Sequence, residues 1–385
     1  MWRALASNML TILVVGLFLM GGLILWGQSQ YKSDGPLETA ICLRVESGSN
    51  MTRVSRELED QGAVSSATLF RMAADYTDKS QQLKAGSFLV REGASMEQII
   101  DDITKSGAST CGTEIEYRIG VTRTQARVRE LDPATLDFVD IAEFEVGTDD
   151  TPDVYGQKRN EADTRYRISL AEGVTSWQVV EALKSADFLG GEVAEIPAEG
   201  MLAPDSYEVS SGDDRNAVLN DMQEKQQLRI NAVWEARQDG LPLENPEEML
   251  ILASIIEKET GVPEERGQVA SVFVNRLNQG MKLQTDPTVI YGVTKGRGAL
   301  GRGLRRSELN RPTPWNTYQI DGLPPTPIAN PGLASLEAAV APDNTDFVFF
   351  VADGTGGHAF AETLQEHNRN VAKWREIEAE RNSGN

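Results

Sequence analysis

The sequence predicts an α+β protein with an N-terminal transmembrane helix, one or two small α+β lobes and a C-terminal α+β domain. Three observations predict it. Residues 9–27 form an uncharged apolar run; strand-like and helix-like hydrophobic periods alternate from residue 41 onward; and from residue 213 the helical period takes over. A chain of 385 residues, 40% hydrophobic and 25% charged, has the composition of a folded protein and the length for several modules.

The apolar run is about 19 residues long, enough to cross ~30 Å of hydrocarbon as a helix. Trp2 and Trp26 sit near its ends, where amphipathic rings prefer the interface. A cleaved signal peptide is the competing reading, because Gly27-Gln28-Ser29 is a small-x-small site. Signal cores are only about 7–15 apolar residues, which favours an anchor. Arg3 and the amino terminus, set against Lys32, put residues 1–8 in the cytoplasm and the body beyond the span.

Residues 28–40 read as a linker. In 41–111 a strand at 41–45, helical periods at Val54/Leu58 and 69–76, a strand at 86–90 and a helix through Met96, Ile99, Ile100 and Ile103 make a small α+β lobe. Cys42 and Cys111 bracket it; a disulfide and a pair of buried thiols are both open readings. A fainter copy occupies 166–212: Val45-Glu-Ser-Gly48 before a helix resembles Leu170-Ala-Glu-Gly173, and Lys84-Ala-Gly-Ser-Phe-Leu-Val90 resembles Leu202-Ala-Pro-Asp-Ser-Tyr-Glu-Val209. Between the copies, 112–165 is an insertion or linker, with strand-like pieces such as 115–119 that could extend a sheet. The domain at 213–385 closes with a strand at 347–351, a glycine turn at 354–357 and a polar helix from about Leu364.

The chemistry concentrates in 245–332. Asn245-Pro246-Glu247-Glu248 is a helix start, with Asn as N-cap, Pro in the first turn and a capping-box glutamate; Gly261 and Pro263 are the stop. The middle of this helix is apolar on every face, so it is surrounded by protein. Its last turn carries Glu257-Lys258-Glu259. Desolvation and the negative end of the helix dipole both disfavour a charged Glu257, which suits a general acid. Glu259 lies about 200° around the helix, so only one of the two faces a given cleft.

Leu252-Ala-Ser-Ile-Ile-Glu-Lys-Glu-Thr-Gly261, Val269-Ala-Ser-Val-Phe-Val-Asn-Arg-Leu277, Leu283-Gln-Thr-Asp-Pro-Thr-Val-Ile-Tyr-Gly292, Asn316-Thr-Tyr318 and Gly322-Leu-Pro-Pro-Thr-Pro-Ile-Ala-Asn-Pro-Gly332 follow one another in order. Together they resemble the signature blocks of the endolytic murein transglycosylases of the MltG/YceG-like family. The resemblance implies LysM-like lobes before a catalytic domain. It also implies Glu257 as the catalytic acid, because the family's acid is the first glutamate of Glu-Lys-Glu-Thr. Departures occur at Met201 and Ala203, where the family commonly carries larger aromatics, and in the added 112–165.

The implied reaction is non-hydrolytic cleavage of the MurNAc-GlcNAc β-1,4 bond of peptidoglycan glycan strands, leaving 1,6-anhydro-MurNAc ends and trimming or terminating nascent strands. Hydrolysis pairs two carboxylates, whereas this helix positions one and Asp286 sits beside Pro287 in a turn setting. Glu259, Gln284, Thr285, Asp286, Asn316, Thr317, Tyr318 and Asn330 offer donors and acceptors for sugar hydroxyl and acetamido groups. No cofactor or metal is expected. The implied setting is the inner (plasma) membrane, single-pass, with the catalytic body on the periplasmic side and peptidoglycan synthases as partners.

A net charge of −21 argues against a nucleic-acid partner. Two histidines without His-Glu-x-x-His disfavour a zinc protease, and the lack of Gly-x-Ser-x-Gly disfavours a serine hydrolase. The basic loop from Gly296 to Arg306 reads as an exposed segment suited to carboxylates or phosphates. The rival from another class is a non-catalytic glycan-binding scaffold that tethers cell-wall synthesis to the membrane.

Overall fold

The computed structural model describes residues 2–105, 109–148, 150–161 and 163–383. The side chains of 2–8, 10 and 382–383 are excluded, so the expectations for Trp2 and Arg3 lie outside the described residues. In chain order the elements are α1 (Trp2–Lys32), β1 (Ile41–Val45), α2 (Met51–Asp60), α3 (Ala67–Tyr76), β2 (Gly86–Val90), α4 (Met96–Lys105), β3 (Thr113–Ile119), β4 (Thr124–Leu131), β5 (Phe138–Glu145), α5 (Asp153–Arg159), β6 (Arg165–Leu170), α6 (Ser176–Ser185) and β7 (Ser206–Val209). Then come α7 (Arg215–Glu235), α8 (Pro246–Glu259), α9 (Arg266–Asn278), α10 (Asp286–Thr294), α11 (Arg306–Leu309), α12 (Leu333–Val340), β8 (Phe349–Ala352), β9 (His358–Ala361) and α13 (Leu364–Ser383). The fold is mixed α+β, as the hydrophobic periods predict.

Two compact units divide the chain: Met1–Ile115 with Arg127–Glu143 and Thr151–Arg165, and Glu116–Ala126 with Phe144–Asp150 and Tyr166–Asn385. In the first, α1 is long and apolar enough over Thr11–Lys32 to cross a membrane, and none of that stretch is buried. Its last turns leave the apolar run: Tyr31 packs against the core formed by Leu43, Leu58, Phe70, Phe88 and Ile100. Two side-chain caps start the helices of this lobe, Asn50 accepting from the Arg53 N–H and Ser66 from the Leu69 N–H. β1 and β2 pair antiparallel with Leu43 opposite Phe88. Cys42 and Cys111 are disulfide-bonded, with Cα atoms 5.7 Å apart.

A similar strand-to-helix turn occurs at two places in the chain. β1 leads through Gly48 (φ 81°) into α2, and β2 returns antiparallel; β6 leads through Gly173 (φ 77°) into α6, and β7 returns antiparallel. Both turns need the left-handed backbone that glycine adopts without a Cβ penalty. Residues 112–165 hold β3, β4, β5 and α5, and the sheet order is β5-β4-β3-β6-β7.

In the second unit α8 is the central element, with every residue from Met249 to Ile256 buried and with α7, α9, α10 and α12 packed on it. An all-apolar helix has no solvent face, so it takes neighbours on every side.

Candidate active site

Half of the expected capping box forms at the start of α8: the Asn245 side chain accepts from the Glu248 N–H at 2.9 Å, ahead of Pro246 in the first turn, whereas the Glu248 carboxylate accepts from the Glu244 N–H at 2.8 Å instead of that of Asn245. At the other end the helix stops at Glu259, with Thr260 already extended. The last turn therefore leaves the core carrying Glu257, Lys258 and Glu259, all half-buried.

Glu257 turns toward the start of α12. Its Oε2 accepts from the Gly332 N–H at 3.0 Å and from the buried Ser335 hydroxyl at 2.7 Å. Among the described residues Oε1 meets no hydrogen-bond partner. One carboxyl oxygen is thus fixed by the protein and the other is open to a ligand. Beside it, Lys258 Nζ donates to the Gly173 carbonyl at 3.1 Å, and burial pushes this ammonium below the ordinary lysine range.

Glu259 turns the other way. It accepts from the Thr285 hydroxyl, and burial, countered by that bond, pushes its carboxyl above the usual range. The Thr285 N–H in turn donates to Thr317 Oγ1 at 3.0 Å, and the Thr288 and Thr317 hydroxyls lie 2.8 Å apart. At the surface of this group Tyr318 donates to Asp286 at 2.7 Å, and Gln284 is exposed at φ 51°.

The eight residues expected around the sugar, with Glu257, therefore fall into two neighbourhoods on opposite sides of the last turn of α8. Asn330 belongs with Glu257; Glu259, Gln284, Thr285, Asp286, Asn316, Thr317 and Tyr318 form the other. Within them, Asn316, Thr317 and Asn330 are buried and bond to the protein itself. The Asn316 amide donates to the carbonyls of Glu308, Leu309 and Arg311, and its oxygen accepts from the Tyr318 N–H. Asn330 donates to the Val174 carbonyl and accepts from the Leu202 N–H, both at 2.9 Å.

Sequence reasoning gave no role to Glu172, Glu199 or Ser335, which the fold brings to the same region. Glu199 accepts from the Ser176 N–H at 2.7 Å and from the Tyr291 hydroxyl at 3.2 Å, and burial raises its carboxyl above the usual range. The signal for Glu172 lay in the repeated strand-to-helix turn that contains it. Among the described residues no group of three or more His, Cys, Asp or Glu side chains is arranged to hold a metal ion.

The sequence profile of the YceG-like family matches residues 43–373. The chain belongs to the YceG-like family. It is 29% identical over 361 residues to a Bacillus subtilis protein named endolytic murein transglycosylase, covering 92% of this chain and 91% of that protein. A Streptococcus pneumoniae protein of the same name is 25% identical, over 88% of this chain and 59% of its own length. A solved YceG-like protein from Listeria monocytogenes, 23% identical, aligns over 86% of the chain and 98% of that protein with a TM-score of 0.46. Within the YceG-like family match, the Glu-Lys-Glu-Thr block lies at the end of α8.

Proposed function

We propose that this protein is an endolytic lytic transglycosylase that cleaves the MurNAc-GlcNAc β-1,4 bond of peptidoglycan glycan strands, leaving 1,6-anhydro-MurNAc ends and so trimming or terminating nascent strands. The observation that carries the reading is Glu257: a carboxyl at the end of a buried helix, one oxygen held by Gly332 and Ser335 and the other open. Similarity along 92% of the chain to a protein named for this activity supports it.

In the reaction Glu257 gives its proton to the glycosidic oxygen as the bond to C1 breaks. The resulting carboxylate takes the proton of the muramyl C6 hydroxyl, whose oxygen bonds to C1 of the same sugar. Acid and base roles alternate on one side chain. The nucleophile is part of the substrate, so its attack gains the advantage of proximity. Asn330 holds the wall beside Glu257, while Gln284, Asp286 and Tyr318, on the Glu259 side of the last turn of α8, meet sugar groups further along the strand, over a wall of Glu259, Thr285, Asn316 and Thr317. The β1–α2–α3–β2 lobe, which this reading takes as LysM-like, holds the strand. α1 anchors the protein in the plasma membrane, with the body on the outer face beside peptidoglycan synthases.

Digestion of glycan strands by the detergent-solubilised full chain in ¹⁸O-labelled water tests the reaction. The expected product is unlabelled, lighter by one water than a reducing end, and missing with Glu257→Gln. Label at the new end would make the enzyme a hydrolase. Strands bound and left intact would favour the scaffold.

A further inference from the structure

Glu172 lies on the turn between β6 and α6, and the main chain around it is tied down. The Gly173 N–H donates to the Asn330 carbonyl and the Asn330 N–H to the Val174 carbonyl, both at 2.9 Å. The Asn330 side chain adds a bond to the same Val174 carbonyl, and Lys258 Nζ holds the Gly173 carbonyl. This pairing sets the turn against the segment just before α12, and the Glu172 carboxyl comes to rest on Gly332. A Cβ built on Gly332 would overlap that carboxyl.

The backbone of Gly332 (φ −73°, ψ 169°) is open to any residue, so the exclusion of a side chain there comes from Glu172. The same glycine donates its N–H to Glu257. Two carboxyls from separate elements thus converge on one residue. Solvent reaches the Glu172 side chain, and among the described residues its carboxyl has no hydrogen-bond partner. The charged groups facing it are Glu257 on α8, Arg266 on α9 and Arg229 on α7. Partial desolvation first, and the charge of Glu257 second, push its carboxyl above the usual range, against the pull of the two arginines.

We infer that Glu172 is a second catalytic carboxyl of this site, whose negative charge faces the positive charge that develops on C1 and the ring oxygen of the muramyl sugar as the glycosidic bond breaks. This rests on the transglycosylase reading. Glu257 already serves both proton transfers, so Glu172 neither gains nor loses a proton in the step. Its contribution is electrostatic: the turn that carries Glu172 is bonded down beside Gly332, and a negative charge on its carboxyl there lowers the energy of the oxocarbenium-like transition state.

The test measures kcat and KM on glycan strands for the full chain in detergent. Glu172→Gln should lower kcat by about 100-fold with KM changed only a few-fold, and Glu172→Asp should recover part of the loss. Gly332→Ala should lose comparable activity, because its methyl displaces the Glu172 carboxyl while keeping the N–H that Glu257 uses. Calorimetry supplies a readout that a structural role would not move. The wild-type chain should prefer a protonated N-acetylated iminosugar over its neutral ring-oxygen counterpart by about tenfold, and Glu172→Gln should lose that preference. Glu172→Gln with kcat within about twofold of wild type, or with the cation preference intact, overturns the proposal and leaves the transglycosylase reading standing. A wild-type chain that leaves the strands intact overturns both.

Discussion

Glu257 and Glu259 are two residues apart, and the helical period alone is enough to separate their tasks. The phase predicts different faces; the fold has one glutamate bonded to Gly332 and Ser335 and the other to Thr285. Glu259 carries a stability consequence. Its carboxyl is pushed above the usual range, so between the unfolded and folded values the folded state binds more protons than the unfolded chain. Stability therefore falls as pH rises through that window, and the cost of the buried charge is fully present above it. Glu259→Gln removes this titration and keeps an acceptor for Thr285. We expect the variant to cleave glycan strands and its thermal midpoint to decline less steeply than wild type from about pH 5 to about pH 8. An equal or steeper decline would refute the assignment. Which way Asn316, Thr317 and Asn330 point was not legible in the motifs, because spacing in a proline-rich loop does not reveal whether a polar side chain meets solvent or the backbone of another segment.

Elements were legible where a period and its punctuation agreed. α8 begins at its Asn-Pro cap, α13 begins at Leu364, and β1 and β2 occupy the residues their alternation marks. The late strand is displaced: the pattern marks 347–351, whereas β8 runs Phe349–Ala352. The carbonyls of Phe347 and Val348 are taken by Asn275 and Arg276 of α9 at 2.9 Å and 2.6 Å. Side chains from a distant helix thus occupy acceptors that a ladder would otherwise use. α1 runs past the apolar stretch to Lys32 because Tyr31 finds a place in the lobe core. A helix docked at one end on the folded body is poorly placed for cleavage at Gly27-Gln28-Ser29. Mass spectrometry of the membrane-extracted protein should find residues 9–27 retained; a mature chain starting near Ser29 would refute the anchor.

At the scale of the molecule, the cystine between Cys42 and Cys111 closes a loop with a sequence separation of 69 across the first unit. Loop-closure entropy of that size is worth about 4 kcal/mol as an upper figure. Cys42→Ser with Cys111→Ser should therefore melt earlier than wild type, and a thiol reductant should reproduce the shift in the wild-type chain. Unchanged melting with reductant would exclude a stabilising disulfide. By itself the sequence determined the α+β class, the apolar helix, the N-cap of α8 and the family, because each is written in residues close together in the chain or in an ordered series of motifs. Only the tertiary structure decided that Cys42 meets Cys111, that Ser335 and Gly332 hold Glu257, and that Glu172 comes to rest on the same glycine. Those contacts join residues 69, 78, 75 and 160 positions apart by difference of their numbers, and no local pattern encodes them. The pairing of Gly173 and Val174 with Asn330 brings Glu172 to the site, and it exists only once both segments are packed against α8.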